Sequence, residues 1–325
     1  MVEIKAPFVA NIDVTNRCNL RCKYCYAARR EAIDIPTDRC IALIEELVDV
    51  YGVFHITLAG GEPLCHPGIL RILDTSVARF GERIALLSNG TMLMNDDFFR
   101  PFERVCARLL AKGRPLDMQI SLDSHDAEVH DQQRDQGAQV LASIERALAL
   151  PIILQLACVV TKNNVHCAHE IIDRYYPRIT NFHYMNVMPS RGRSSGANYW
   201  NLLPTRSQIH AFHQKILQRE KAYSPIRITK IERDRDEEGG TMRATGCLAG
   251  TTRIDIAPDL KVFACCMSDE TLGDLNKQTF EEMWVSLQAE RVRSVSTPYC
   301  FKWARPSSPK GSKHYLKHHE PCNPP

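Results

Sequence analysis

FVANIDVTNRCNLRCKYC, residues 8–25, opens as an apolar run and ends in a loop with three cysteines. Residues 8–14 read as a buried strand. The helical spacing of Ile41, Ile44, Leu47 and Val48 predicts a helix over 36–51. From there the two element types alternate. Strands are predicted over 53–58, 83–88, 116–122, 152–160 and 179–188, and helices over 67–80, 96–110, 136–150 and 165–175. Gly81 fits a helix C-cap and Asn89-Gly90 a turn. Such alternation predicts a parallel sheet flanked by helices. Six β/α units cannot close an eight-stranded barrel. The expected fold class is therefore α/β, an open, partial (β/α)6 TIM-like barrel. In such folds chemistry gathers in loops after the carboxyl ends of the strands, and residues 18–25 lie in the first of them.

The remainder has a different character. Residues 189–199, PSRGRSSGANY, read as a polar linker in which Arg191 and Arg193 are candidates for an acidic or peptide substrate. A helix over 205–221, a short strand over 226–231 and a charged loop over 233–240 follow. Residues 253–263 fit a hairpin around Pro258-Asp259, 279–292 a last helix, and 305–325 a poorly ordered tail. The expected division is a barrel over 1–200, a connecting helix and loop over 201–240, a small α+β domain over 241–304 and the tail over 305–325.

The 325 residues are 44% hydrophobic and 24% charged, an ordinary soluble composition. A net charge of +3 is too small to point to nucleic acid. No apolar run approaches the roughly 18 residues of a membrane span, and the first residues lack the apolar core of a signal peptide. A cytoplasmic location is expected. Thirteen cysteines are many for a compartment that disfavours disulfides, so metal ligation or catalysis is the better reading. Cys40, Cys106, Cys158 and Cys167 sit in apolar or helical patterns and read as small buried hydrophobes, while Cys65 stays open. Tyr184, Met185 and Met188 read as core, and His314, His318 and His319 as part of a solvated basic tail.

Cys18, Cys22 and Cys25 form C-x3-C-x2-C. Soft thiolates suit iron–sulfur clusters or zinc. A structural zinc wants four ligands, and no fourth Cys or His lies close by in sequence. Three thiolates at a barrel mouth suit a cluster with one iron left open. The triad, with Tyr24 before its last cysteine, resembles the defining motif of radical S-adenosylmethionine (SAM) enzymes. The resemblance implies a [4Fe–4S] cluster whose open iron takes the amino and carboxylate groups of SAM. It also implies reductive cleavage of SAM to a 5′-deoxyadenosyl radical that abstracts hydrogen from a substrate. Gly60-Gly61-Glu62-Pro63 follows the second strand and resembles the family's GGEP element, which holds the SAM amino group. Glycines there let the backbone approach, and a carboxylate suits an ammonium. Ser88 and Asn89 end the third strand, where relatives contact SAM; Ser121 and Asp123, likewise candidate SAM-binding residues, end the fourth, and Arg134 follows in HDQQR. The serine at 121 and the arginine resemble residues that contact the SAM ribose and carboxylate.

A second cysteine group begins at Cys247, with Cys265 and Cys266 after the hairpin, then Cys300 and Cys322. CLAGTTRIDIAPDLKVFACC, followed by LGDLNKQTFEEMW, resembles the C-terminal SPASM or Twitch extension of radical SAM enzymes, which holds auxiliary [4Fe–4S] clusters. Leu260 replaces the usual glycine after Pro-Asp, and the cysteine run of a second auxiliary cluster is missing. The resemblance implies one auxiliary cluster, with Cys247, Cys265 and Cys300 as ligands and Cys322 as a fourth. In sulfatase-maturing relatives an Asp follows such a cysteine; Cys266 stands here, and a thiol there is a candidate hydrogen-atom donor, the alternatives being a side chain packed into the hairpin core or a cluster ligand in place of Cys265.

The resemblance implies an enzyme of oxidoreductase or epimerase type. It acts on a ribosomal peptide or a small natural product, by epimerisation, oxidation or crosslinking, or else oxidises or epimerises a sugar or cyclitol. A one-electron reductant such as flavodoxin or ferredoxin is the implied partner. The chain starts at the first barrel strand, so no leader-peptide-binding domain is expected at its front. The rivals are a non-catalytic iron–sulfur electron carrier, which would lack SAM-binding elements, and a zinc-ribbon interaction protein.

Overall fold

The computed structural model describes residues 6–25, 32–79, 83–187, 201–229, 249–266, 268 and 270–295. Strand β1 (Val9–Thr15) leads through helix α1 (Thr37–Glu45), prolonged by a π-helical turn over Glu46–Val50, to β2 (His55–Gly60). Helix α2 (Ile69–Arg79), β3 (Arg83–Ser88), α3 (Asp96–Ala111) and β4 (Asp117–Ser121) follow. A short helix α4 (Ala127–Asp131), α5 (Gly137–Ala147), β5 (Ile153–Val160), α6 (Glu170–Tyr175) and β6 (Asn181–Asn186) complete the repeats. Neighbours from β1 to β6 pair in parallel, so the six strands stand in sequence order. This is the partial barrel that the alternation predicts. Among the described residues no helix is long and apolar enough to cross a membrane.

The period of two in the strands separates two environments. Ala10, Ile12 and Val14, Met118 and Ile120, and Leu156, Cys158 and Val160 join one core with the helices. Burying each large aliphatic side chain there contributes about 1.5–3 kcal/mol. The alternate residues face the concave side, and many are polar: Asn11, Thr57, Gln119 and Asp255 are each less than 10% exposed. A closed eight-stranded barrel packs that side with branched apolar residues. Here the wall is a hydrogen-bonding surface.

The chain beyond the repeats extends the same sheet. Helix α7 (Arg206–Ala222) starts at a capping box in which Thr205 and Gln208 satisfy each other's backbone N–H groups. Strand β7 (Arg227–Thr229) then pairs in parallel with β6. Strands β8 (Arg253–Ile256), β9 (Lys261–Phe263) and β10 (Thr271–Asp274) form an antiparallel meander, and β8 lies parallel to β1 with Asn11 opposite Asp255. The hairpin is thus as expected, but it continues the barrel wall instead of building a sheet of its own. The helix expected over 279–292 is two: α8 (Phe280–Trp284) and α9 (Leu287–Val295). Ser286 interrupts it, its hydroxyl accepting from the Ala289 N–H at 3.1 Å as an N-cap. The helix expected over 165–175 is regular only in α6, and α4 and β10 lie where no element was expected. The expected domain boundaries fall in, or at the edge of, stretches outside the described residues, as do residues 189–199 and the tail.

Candidate functional site

The loop after β1 carries Cys18, Cys22 and Cys25, all half-buried. It is tied on two sides. Asn19 donates to the Thr91 hydroxyl at 2.7 Å and accepts from the Asn89 side-chain amide at 2.9 Å, joining it to the end of β3. Across the mouth, the Arg21 N–H donates to Asp135 at 2.6 Å, the Lys23 N–H to the Gln133 carbonyl at 2.8 Å and the Lys23 ammonium to the Gln132 carbonyl at 2.5 Å.

Burial lifts the Cys18 thiol to about 11; the Leu20 N–H, 3.4 Å away, pulls it down, while charges on Glu62, Cys22 and Cys25 add to the rise. Burial likewise raises Cys22. The three sulfurs thus feel one another, and as bare thiolates they repel. A polycationic cluster removes that penalty, because a metal-bound thiol is deprotonated outright. Among the described residues no three His, Cys, Asp or Glu side chains converge to grip a single ion. A four-iron cubane places each thiolate on a different iron, so it needs neighbouring thiols rather than converging ones. The triad fits such a cluster better than it fits zinc.

The second loop, Gly60–Pro63, passes against the first. The Gly61 N–H donates to the Thr15 carbonyl at 2.8 Å and the Glu62 N–H to the Arg17 carbonyl at 2.7 Å. Glu62 is buried, and its carboxylate is taken up by the protein. One oxygen accepts from the Leu64 N–H at 3.0 Å and the Ser88 hydroxyl at 2.8 Å; the other accepts from the Asn89 N–H at 2.6 Å. Burial raises its carboxyl to about 7 against the pull of those donors. Glu62 therefore welds the β2 and β3 loops together. Pro63 opens the 3-10 turn Pro63–Cys65 behind it, where burial puts the Cys65 thiol at about 11. Glu62→Gln sets an amide N–H₂ against a backbone N–H, leaving a buried donor unpaired at a cost of about 1–3 kcal/mol. The thermal midpoint should fall by several degrees; an unshifted melting curve would refute this role.

The third group lies on the β4 side. Asp123 is fully buried, and one oxygen accepts from the Val159 N–H at 2.9 Å. The other accepts from the Tyr24 hydroxyl and from Arg134 Nε, the latter at 3.1 Å; Arg134 Nε also donates to the Tyr24 oxygen. The guanidinium carbon lies 5.4 Å from the Tyr24 ring centroid. Arg134 thus stands beside the cysteine loop, not on a surface helix. Burial alone would make it less basic, but Tyr24 and Asp123 hold it protonated. Burial likewise keeps the Tyr24 phenol neutral. Ser121 is half-buried at the end of β4. The structure therefore brings together Cys18, Cys22, Tyr24, Cys25, Gly60, Gly61, Glu62, Pro63, Ser88, Asn89, Ser121, Asp123 and Arg134 around one mouth. Sequence reasoning missed Asn19, His130, Gln133, Thr161 and Asn164, which support it. His130, for example, accepts the Asp123 N–H at 3.3 Å.

Cys265 and Cys266 lie elsewhere, half-buried just past β9. Strand β9 runs antiparallel to β8, which is parallel to β1. These cysteines are therefore level with the start of β1, roughly 20 Å of strand below the triad loop. The polar concave wall lies between the two groups. Cys247, Cys300 and Cys322, like Arg191, Arg193 and Met188, lie outside the described residues. Cys40, Cys106, Cys158 and Cys167 are buried, and Tyr184 is core, with its hydroxyl donating to the Ala168 carbonyl at 3.0 Å.

Two family models match the chain: the radical SAM superfamily over residues 12–174 and an iron–sulfur cluster-binding domain, SPASM, over residues 247–307. The antilisterial bacteriocin subtilosin biosynthesis protein AlbA of Bacillus subtilis is 24% identical over 97% of this chain and 68% of its own length. The AdoMet-dependent heme synthase of Methanosarcina barkeri is 26% identical over 90% of this chain and 86% of its own. The structure of Streptococcus suis SuiB bound to S-adenosylmethionine aligns with a TM-score of 0.72 and 14% identity, over 89% of this chain and 68% of SuiB. That likeness shows a shared fold.

Proposed function

We propose, for a chain that belongs to the radical SAM superfamily and carries a C-terminal SPASM iron–sulfur domain, that it modifies a peptide during maturation of a ribosomally made natural product. The family brings SAM and a [4Fe–4S] cluster, and the SPASM domain brings auxiliary iron–sulfur clusters. Bound there, such a cluster would supply one electron for reductive cleavage of SAM and so the means to remove a hydrogen atom from a substrate C–H bond. The chain's own residues supply the rest. Cys18, Cys22 and Cys25 hold the cluster. Gly60 and Gly61 admit SAM against bare backbone, with Ser88, Asn89 and Ser121 at its edges. Arg134 meets its carboxylate. A one-electron donor such as flavodoxin or ferredoxin would be the partner that supplies the electron.

The observation that carries the peptide reading is the similarity to a bacteriocin biosynthesis protein along 97% of this chain. The polar concave wall supports it, since Asn11, Thr57 and Gln119 offer hydrogen bonds suited to peptide groups and poorly suited to a large apolar macrocycle. The test uses the short peptides encoded beside this gene, each incubated anaerobically with reconstituted protein, SAM and dithionite. One peptide should be modified and should raise 5′-deoxyadenosine output. If every peptide is inert while a tetrapyrrole or a sugar is converted, the peptide reading is wrong.

Cys266 is the proposed hydrogen-atom donor that closes an epimerisation: its S–H bond breaks as the substrate C–H bond forms, and the thiyl radical left behind would be returned to the thiol by one electron from the one-electron donor and a proton from water. A thiol hydrogen exchanges with solvent, so in deuterated water one deuterium should appear at the modified carbon. Cys266→Ala should still cleave SAM but lose that product. A product oxidised by two electrons, without solvent deuterium, would rule the donor role out.

A further inference from the structure

We propose that Asp123 is a positioning residue that fixes the anion-binding edge of Arg134 beside the cysteine loop. This rests on the reading of the mouth as a SAM site, and it names what determines affinity there.

Among the described residues the guanidinium is hydrogen-bonded through Nε alone, to Asp123 and Tyr24. Its two terminal nitrogens have no hydrogen-bond partner among the described residues, although the side chain is only 11% exposed. An unpaired guanidinium N–H is costly to desolvate, and the two terminal nitrogens are not among the polar atoms left buried without a partner, so that edge is where the otherwise buried side chain opens to the mouth. The open edge is a planar fork of N–H donors, the geometry that grips a carboxylate at two points. Which way it faces depends on how the Nε edge is held.

That hold is rigid. One Asp123 oxygen is fixed by the Val159 N–H, and the residue's own carbonyl accepts from the Asn164 side-chain amide at 2.8 Å. Asn164 also donates to the Val159 carbonyl at 3.0 Å and accepts the Thr161 N–H at 2.8 Å. Gln133, beside Arg134, accepts from the Thr161 hydroxyl, and its amide donates to the Val159 carbonyl at 3.4 Å. The end of β5 therefore sets both Asp123 and the backbone that carries Arg134. Tyr24 belongs to the cysteine loop, so its hydroxyl, between carboxylate and guanidinium, keys that loop to the same hub. Both Asp123 oxygens are occupied by protein groups, so Asp123 acts on the ligand through Arg134 and not by touching it.

An asparagine at 123 preserves the shape and still accepts from Val159. Its amide N–H₂ then faces Arg134 Nε, two donors together, and the fork turns out of line. Displacement of a positioning contact by about an ångström costs on the order of 100-fold. The experiment measures equilibrium binding of SAM and of decarboxylated SAM to reconstituted wild type, Asp123→Asn and Tyr24→Phe, alongside thermal melting and iron content. Wild type should prefer SAM over the decarboxylated probe by about 10–100-fold. In Asp123→Asn that preference should shrink, through loss of SAM affinity alone, to the part supplied by the open iron's hold on the carboxylate, and Tyr24→Phe should lose part of it with a wild-type melting curve. A general structural role would weaken both probes alike. The proposal is overturned if Asp123→Asn keeps the preference, or if it unfolds while Tyr24→Phe binds both probes as wild type does. If wild type itself binds no SAM, the reading of the site fails first, and with it this proposal.

Discussion

Replacing Cys18, Cys22 and Cys25 together with alanine is expected to abolish 5′-deoxyadenosine formation, because the cofactor that these thiols would hold carries the chemistry. The three thiols lie on one loop, close enough that a charge on one raises another, and they are braced by Asn19, Arg21 and Lys23. The variant should still bind roughly four irons at the C-terminal cysteines. Quantifying iron, sulfide and 5′-deoxyadenosine on the same sample checks both halves. Residual SAM cleavage in the variant would defeat the assignment of the triad. A fully iron-free variant would defeat the C-terminal cluster instead.

The second large effect is expected from Gly61→Ala. A Cβ on Gly61 would lie 2.2 Å from the Arg17 carbonyl oxygen and 2.7 Å from that of Asn16. Both are backbone atoms of the stretch entering the cysteine loop, so neither can swing aside as a side chain would. Relief requires the two loops to separate, which breaks the Gly61 and Glu62 N–H bonds to Thr15 and Arg17. Overpacking of this kind costs about 1–3 kcal/mol, and a shift of about an ångström at a reacting centre costs on the order of 100-fold in rate. The kcat/KM for SAM should therefore fall by at least that factor. Gly113→Ala is the control: its φ of +72° is left-handed, but a Cβ there meets nothing within 4 Å. It should lose about 1 kcal/mol of stability and leave SAM turnover alone. Equal losses in the two variants would refute the close-approach role of Gly61.

Much of the barrel was legible because each strand pairs with its neighbour in sequence, so local alternation suffices. The placement of the cysteine loop and of the two glycines was legible for the same reason: each lies within a few consecutive residues after a strand. What could not be read depends on partners far apart in the chain. Nothing near Arg253 says that β8 will lie against Val9. The sequence suggested that the Glu62 carboxylate suits an ammonium, yet its acceptors face Leu64, Ser88 and Asn89, a pairing that only the folded loops create. Asp123 read as a ligand contact because it ends a strand at the mouth. Its actual partners come from the loops at residues 24, 134 and 159. The break at Ser286 was readable in principle, since serine favours an N-cap, but the apolar periodicity on either side hid it.

The most direct test of the central claim is SAM cleavage by the wild-type protein. The protein is reconstituted anaerobically with iron and sulfide, mixed with SAM and dithionite, and 5′-deoxyadenosine is followed by chromatography. 5′-Deoxyadenosine is expected to accumulate with time and only when reductant is present. Protein that carries its iron and forms no 5′-deoxyadenosine above the reductant-free control would contradict it.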